Sequence, residues 1–269
     1  MTTPDATRTI LVDGHVHLHP GHDWAGMVQA LLDHLQAPTP DAVTIRVGLL
    51  AESRGCSFYR DVLRSPAAFR QGSLHLEVPA DGDAIIIRDG TMIAGYLIPG
   101  RQIVTQERLE VLALGADVTV DDGLAVEPTL AAIWEQGALP VLSWSPGKWF
   151  FARGKRVSQL IEDLPPGSFL IGDTAMRPTF WPVPRLMQRA RLRGFRIIGG
   201  SDPLPLPGEE SMVGTYGMSL SGAFDPAKPA ASLKTLLADP LTVLTTIGQR
   251  SAPIAFLSRW IRNQTLRKG

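Results

Sequence analysis

Residues 10–17 read ILVDGHVH, and this stretch decides how we interpret the rest of the chain. Its even positions hold apolar residues or glycine, whereas Asp13, His15 and His17 occupy odd positions. Because alternate residues of a strand point to the same side, these three polar side chains share one face. The stretch therefore predicts a strand that carries a carboxylate and two imidazoles.

The remainder of the chain predicts strands and helices in alternation. Asp23 can cap a helix whose apolar stripe ends near Leu35. Other predicted strands cover residues 42–50, 84–88, 92–98, 109–114, 139–144, 168–171 and 196–200, with an Asp89-Gly90 hairpin turn between the second and third of these. Further predicted helices lie near residues 128–136, 157–164 and 183–190, and from about residue 231 onward. This order predicts an α/β fold, a distorted TIM-like barrel of about seven or eight βα units. We expect one barrel domain over residues 1–269, ending in a helical segment.

Composition narrows the classes of protein and of partner. The 269 residues contain 26 basic and 26 acidic side chains, so the net charge is zero and nothing favours nucleic acid or an anionic membrane. The single cysteine, Cys56, excludes an internal disulfide and a thiolate zinc cluster. No run of about 18 apolar residues or signal peptide is present, so we expect a cytoplasmic protein.

The six histidines are concentrated near the first strand. Four lie between His15 and His22, and none follows residue 75. His15 and His17 can share one divalent ion, although the alternation also arises by chance. Asp202 follows the last predicted strand and can complete the site or hold an attacking water, although an aspartate before proline also serves as a turn residue. His19 and His22 lie beyond the strand, and they are equally well explained as partners of the metal ligands or as exposed loop residues.

With these segments in place, the chain resembles the polymerase-and-histidinol-phosphatase (PHP) family of amidohydrolase-like barrels. The resemblance covers most of residues 10–205. It rests on four segments in order: HVH at 15–17, residues 98–115, LSWSPG at 142–147 and GSDPL at 200–204. Members are metal-dependent phosphoesterases on a distorted barrel, so the resemblance implies that fold and that chemistry here.

Several family ligand positions are substituted. Gln102 stands where a bridging glutamate is usual, and Glu110 stands where a histidine is usual. Ser145 and Leu204 each replace a histidine, and the second strand lacks its aspartate-histidine pair. The metal ligands that this comparison leaves are His15, His17 and Asp202, with Gln102 as a poor fourth. We expect one divalent ion (Zn, Mn or Fe) or none.

Two groups of side chains are candidates for acting on a substrate. Lys148 and Arg177 follow strand ends and can bind an anion, and together with Asp202 they are the candidate catalytic residues. Arg101 and Ser145 are further candidates for substrate binding. Glu52 and Glu77 are carboxylates near strand ends that can act as a general base. For the basic residues within 153–156, a solvated helix start is the favoured explanation.

Two hypotheses on function follow. The first is a metal-dependent, phosphoesterase-like hydrolase of a small anionic substrate, with at most one ion. The second is a catalytically degenerate barrel that binds a ligand or a partner. We expect no membrane partner and do not favour nucleic acid.

Overall fold

Thirteen strands form two sheets within residues 8–36, 44–80 and 82–266, which the computed structural model describes. The strands are β1 (Arg8–Val16), β2 (Thr44–Leu50), β3 (Arg70–Gln71), β4 (Leu74–Glu77), β5 (Ile85–Asp89), β6 (Met92–Ile98), β7 (Gly100–Val104), β8 (Glu110–Leu114), β9 (Leu139–Ser143), β10 (Leu170–Thr174), β11 (Ile197–Gly200), β12 (Tyr216–Gly222) and β13 (Thr245–Gly248). The α-helices are α1 (Trp24–His34), α2 (Phe58–Arg64), α3 (Val126–Glu135), α4 (Phe151–Asp163), α5 (Arg185–Leu192), α6 (Pro229–Ala238) and α7 (Pro253–Leu266).

The larger sheet has the order β13-β12-β1-β2-β6-β5-β4-β3, and the smaller one has the order β11-β10-β9-β8-β7. Parallel pairing links β1 to β2 and β2 to β6, and in the smaller sheet it links β9, β10 and β11. All other pairs are antiparallel, including β1 with β12 and β7 with β8. The α/β class is therefore confirmed, with a mixed rather than a parallel strand arrangement.

Backbone hydrogen bonds join the two sheets after β2 and after β11. After β2, the amide of Glu52 donates to the carbonyl of Gly100 at 3.1 Å, and the amide of Gln102 donates to the carbonyl of Glu52 at 3.0 Å. After β11, the amide of Asp202 donates to the carbonyl of His15 at 2.9 Å. Apolar side chains from both sheets, such as Val47 and Val141, share one core cluster between them.

The predicted closed barrel requires correction. Among the described residues, strand pairing leaves two separate sheets, because β11 pairs with β10 alone and β1 pairs instead with β12 and β2. The physical reason is that apolar periodicity identifies a strand without stating its neighbour or its direction. Antiparallel neighbours can be joined by a short turn, as β7 and β8 are, whereas β12 lies antiparallel to β1 although the two strands are far apart in the chain.

Predictions of local structure were confirmed where the sequence contains clear capping or turn residues. Asp23 caps α1 by accepting hydrogen bonds from the amides of Ala25 and Gly26. The Asp89-Gly90 hairpin joins β5 to β6. The helical C-terminal segment is correct only in part, because β13 lies between α6 and α7. Strand β12 was not predicted, because its sequence YGMSLSG resembles a loop; it forms a strand by pairing with β1. The first residues of the predicted 42–50 strand, 42 and 43, lie outside the described residues.

Candidate metal centre

Three potential ligands converge where β1 and β11 end. The Nε2 atoms of His15 and His17 lie 2.9 Å apart, and Oδ1 of Asp202 lies 3.6 Å from each of them. Both histidines are buried, and the side chain of Asp202 is 15% exposed. The strand face predicted from residues 10–17 therefore does present its imidazoles to the carboxylate that the sequence analysis selected.

The donor set fits a divalent ion. In a tetrahedral site with ligand distances of about 2.1 Å, donor atoms lie about 3.4 Å apart, close to the three separations observed here. Two imidazole nitrogens and one carboxylate oxygen are borderline ligands that Zn, Mn and Fe all accept. Among the residues that the structure describes, this is one compact group of three such side chains, which matches a single ion.

The charges of these groups also favour a cation. Burial lowers the pKa of His17 well below its ordinary value, so its ring is neutral and offers a lone pair. Burial raises the pKa of Asp202, and the nearby carboxylate of Glu110 raises it further, whereas His15 opposes the shift. A bound cation would offset both the desolvation and the repulsion from Glu110. The Nδ1 atoms of His15 and His17 are buried without a hydrogen-bond partner in the described part of the chain.

Asp13 braces the site, and the structure gives it a role that strand parity alone did not show. Its Oδ1 accepts hydrogen bonds from the amides of His15 (3.1 Å) and Ser201 (2.9 Å), and its Oδ2 accepts one from the amide of Gly214 at 2.7 Å. It is fully buried, and burial raises its pKa. Asp13 therefore ties β1 to the segments on either side of residues 202–212.

The backbone of Asp202 is unusual. Its φ of 51° lies in the left-handed region, which residues other than glycine rarely adopt and which occurs preferentially at functional sites.

The histidines after β1 pack against the loop that follows Asp202. Nε2 of His19 lies 3.1 Å from the carbonyl of Pro203, and Nε2 of His22 lies 3.0 Å from the carbonyl of Leu206. Burial lowers the pKa of His19 to about 4, so this contact is made by a neutral ring.

The predicted fourth ligand lies beside the centre. The side chain of Gln102, on β7, is close enough to His17 to raise the pKa of that ring, against the larger lowering by burial. Its neighbour Arg101 pairs with Glu52 through the backbone, in an isolated parallel β-bridge. The Nε atom of Arg101 is buried without a hydrogen-bond partner among the described residues. The side chain of Glu52 turns to α2, where Oε1 accepts a hydrogen bond from the amide of Tyr59 at 3.3 Å. Burial raises the pKa of Glu52 to about 7.

Two predicted substrate-binding residues share one carboxylate next to the centre. Nζ of Lys148 lies 2.7 Å from Oε1 of Glu110, and the hydroxyl of Ser145 donates to Oε2 of Glu110 at 3.2 Å. Glu110 in turn acts electrostatically on Asp202. The ammonium of Lys148 is therefore placed near the three ligands and is only partly exposed.

Arg177 lies in a different environment. Its guanidinium donates to both oxygens of Asp173, at 2.8 and 2.6 Å, and to the carbonyl of Trp181 at 3.0 Å. The hydroxyl of Tyr216 donates to the same carboxylate at 2.8 Å. Arg177 is buried, so its role as an anion binder stays a prediction that these contacts do not support. The other acid considered from sequence, Glu77, pairs with Arg88 on β5.

Aromatic side chains follow β9 and β10. Trp144 and Trp149 are buried in the core against the helices of the smaller sheet. Phe150 stacks on Trp181 with ring centroids 6.2 Å apart, and Phe151 is 91% exposed.

No family model matches the chain, and no curated protein matches it. Among solved structures, the chain is similar to PsfC from Pseudomonas syringae, with a TM-score of 0.59 and 16% identity over 96% of this chain and 99% of that one. It is also similar to the lesion-specific endonuclease PfuEndoQ from Pyrococcus furiosus, with a TM-score of 0.54 and 8% identity over 89% of this chain and 59% of that one. At these identities the similarity shows a shared fold and nothing about activity.

A third alignment is with a two-domain protein from Bacteroides vulgatus that contains a predicted PHP-like metal-dependent phosphoesterase. It has a TM-score of 0.45 and 12% identity, and covers 95% of this chain and 71% of that one. A TM-score below 0.5 does not establish a common fold.

Within the described residues, no helix has the length and hydrophobicity needed to cross a bilayer.

Proposed function

We propose that this protein is a metal-dependent hydrolase of the PHP type that cleaves a phosphoester or a similar small anionic substrate. The observation that carries the proposal is the convergence of His15, His17 and Asp202, whose donor atoms have the spacing of a single-ion site. Three protein ligands and an open position are the usual arrangement of a catalytic metal. The sequence motifs that resemble the PHP family support the same class.

The chain's own residues supply the remaining functions. When bound, a divalent ion would polarise the substrate and lower the pKa of a bound water. Asp202 would accept the proton of the attacking water, and Lys148 would bind an anionic oxygen of the substrate in exchange for part of its contact with Glu110. Gln102 is neutral and cannot bridge two cations as a carboxylate would, which supports one ion.

The test is to count ions and measure turnover in the same preparations. Purified protein is titrated with Zn²⁺ or Mn²⁺ by calorimetry, and hydrolysis of p-nitrophenyl phosphate and bis-p-nitrophenyl phosphate is followed. We expect one tight equivalent and metal-dependent turnover in the wild type, and neither in the double variant H15A/H17A. His75→Ala, which removes an imidazole far along the larger sheet, is the matched control and should behave as wild type. Two tight equivalents would contradict the single ion.

The second candidate is a degenerate site that binds a ligand without turnover. It is favoured by the contacts made at two positions where the family has metal ligands. Glu110 forms an ion pair with Lys148, and Leu204 packs with Met176 and Leu206 in an apolar cluster. One tight ion without hydrolysis of either ester would favour this candidate over the first.

A further inference from the structure

A large cavity lies apart from the metal ligands. Its volume is about 1050 Å³, and it is bounded by α5, the free edge of β11, and strands β12 and β13. None of the three candidate ligands lines it. The volume lies at the upper end of the range, roughly 300–1,000 Å³, that is typical of pockets for organic ligands. The cavity is therefore large enough for a small molecule that does not occupy the metal centre.

The lining of the cavity carries an excess of positive charge. Arg191, Arg196 and Arg250 line it, and none of them lies within 4.0 Å of a carboxylate in the described residues. Asp173 is the single acidic residue of the lining, and its oxygens are already bound by Arg177 and the hydroxyl of Tyr216. Uncompensated guanidinium groups around a concave surface attract anions.

Two of these guanidinium groups are held in place by backbone carbonyls. Nη1 of Arg250 donates to the carbonyl of Trp181 at 3.1 Å, and Nη2 of Arg196 donates to the carbonyl of Thr242 at 2.8 Å. Carbonyls orient a guanidinium without cancelling its charge. The positive charge is therefore both fixed and available to a ligand, which is the arrangement that reduces the entropy lost on binding.

The rest of the lining is apolar or neutral. Apolar side chains from both walls include Met187, Phe195, Met218 and Leu244. The ligand that fits this combination has an anionic group and an apolar body.

We propose that this cavity is a second ligand site, separate from the metal centre, and that it takes an amphiphilic organic anion whose charged group is a phosphate, a sulfonate or a carboxylate. The unpaired guanidinium groups of the lining bind the anionic group, and the apolar walls bind the remainder. The proposal does not depend on the proposed hydrolase activity, because it uses none of the metal ligands.

The experiment uses the full chain and the fluorescent probe 8-anilino-1-naphthalenesulfonate, with uncharged N-phenyl-1-naphthylamine as the matched neutral probe. We expect saturable binding of the sulfonate at one site. Loss of one guanidinium contact in Arg191→Met should weaken sulfonate binding by about ten-fold and leave the neutral probe unchanged. Arg189→Met, on the same helix but outside the lining, is the control and should bind both probes as wild type.

Arg250 is left in place, because it holds carbonyls of the 177–181 turn and its loss would disturb that segment. The second variant therefore adds an opposing charge instead of removing an arginine. Gln249→Glu places a carboxylate in the lining without removing any arginine and should weaken the sulfonate alone. Binding of the sulfonate that is non-saturable, or that is equally strong in wild type, R191M and Q249E, would overturn the proposal. Loss of both probes together in folded R191M would also overturn it, because recognition would then not depend on charge.

Discussion

Arg259 on α7 and Glu209 in the segment after β11 form a buried ion pair, with Nη2 and Oε2 2.6 Å apart. The same guanidinium donates to the hydroxyl of Ser251 at 2.9 Å and to the carbonyl of Asp202 at 3.4 Å. Glu209 also accepts a hydrogen bond from the amide of Leu204 at 3.1 Å. The C-terminal helix is therefore attached to the loop that carries the candidate metal ligand Asp202.

This contact predicts that Arg259→Leu lowers both stability and metal affinity. The substitution leaves Glu209 buried without its partner, which costs about 3–5 kcal/mol. Urea unfolding and calorimetric titration with Zn²⁺ on the folded fraction measure the two effects. Arg189→Leu, which removes an exposed pair with Glu162, is the control and should change stability by about 0–1 kcal/mol. Wild-type stability in R259L would contradict the prediction.

Substitutions of Arg177 and Lys148 should distinguish a structural role from a role in substrate binding. Arg177→Met removes the guanidinium from the buried carboxylate of Asp173, so we expect the free energy of unfolding to fall by about 3–5 kcal/mol. Lys148→Met removes a partner of Glu110 that is less buried than the Arg177–Asp173 pair, so its effect on stability should be smaller than that of Arg177→Met, while KM for an aryl phosphate rises. Chemical denaturation and steady-state kinetics check both variants. A stable R177M with a raised KM would instead support Arg177 as an anion binder.

Glu52 should make stability depend on pH. Burial raises its pKa from 4.5 to about 7 in the folded state. The folded protein thus keeps a proton that the unfolded chain releases, and stability falls as pH rises through this interval. Glu52→Gln mimics the protonated form, so relative to wild type it should gain up to about 3 kcal/mol between about pH 4 and pH 8. Denaturation at both pH values tests this, with Glu135→Gln on the exposed face of α3 as the control. A constant difference between E52Q and wild type would contradict it.

Gly200 should be required for the contact between β11 and β1. A Cβ added at Gly200 would lie 2.4 Å from both the Cβ and the backbone nitrogen of His15. We therefore expect Gly200→Ala to cost about 1–3 kcal/mol and to weaken Zn²⁺ binding, because the strands must separate next to a ligand. In Gly26→Ala the added Cβ meets the side chain of Asp23 and no backbone, so this control should change stability by less than about 1 kcal/mol. Thermal unfolding and metal titration provide the measurements, and an unchanged G200A would disprove the requirement.

The sequence by itself determined the local features. Alternation over residues 10–17 specified β1 and placed His15 and His17 on one face, and Asp23 specified the start of α1. The Asp89-Gly90 turn specified its hairpin. These features depend on residues close together in the chain, where periodicity and capping chemistry act directly.

Only the tertiary structure decided which distant groups meet. It divided the strands into two sheets, because alternation does not state a strand's neighbour. It bound Arg177 to Asp173 and Lys148 to Glu110, which no local pattern distinguishes from free cations. It also brought Asp202 within 3.6 Å of the histidines, since that distance depends on how β11 packs against β1.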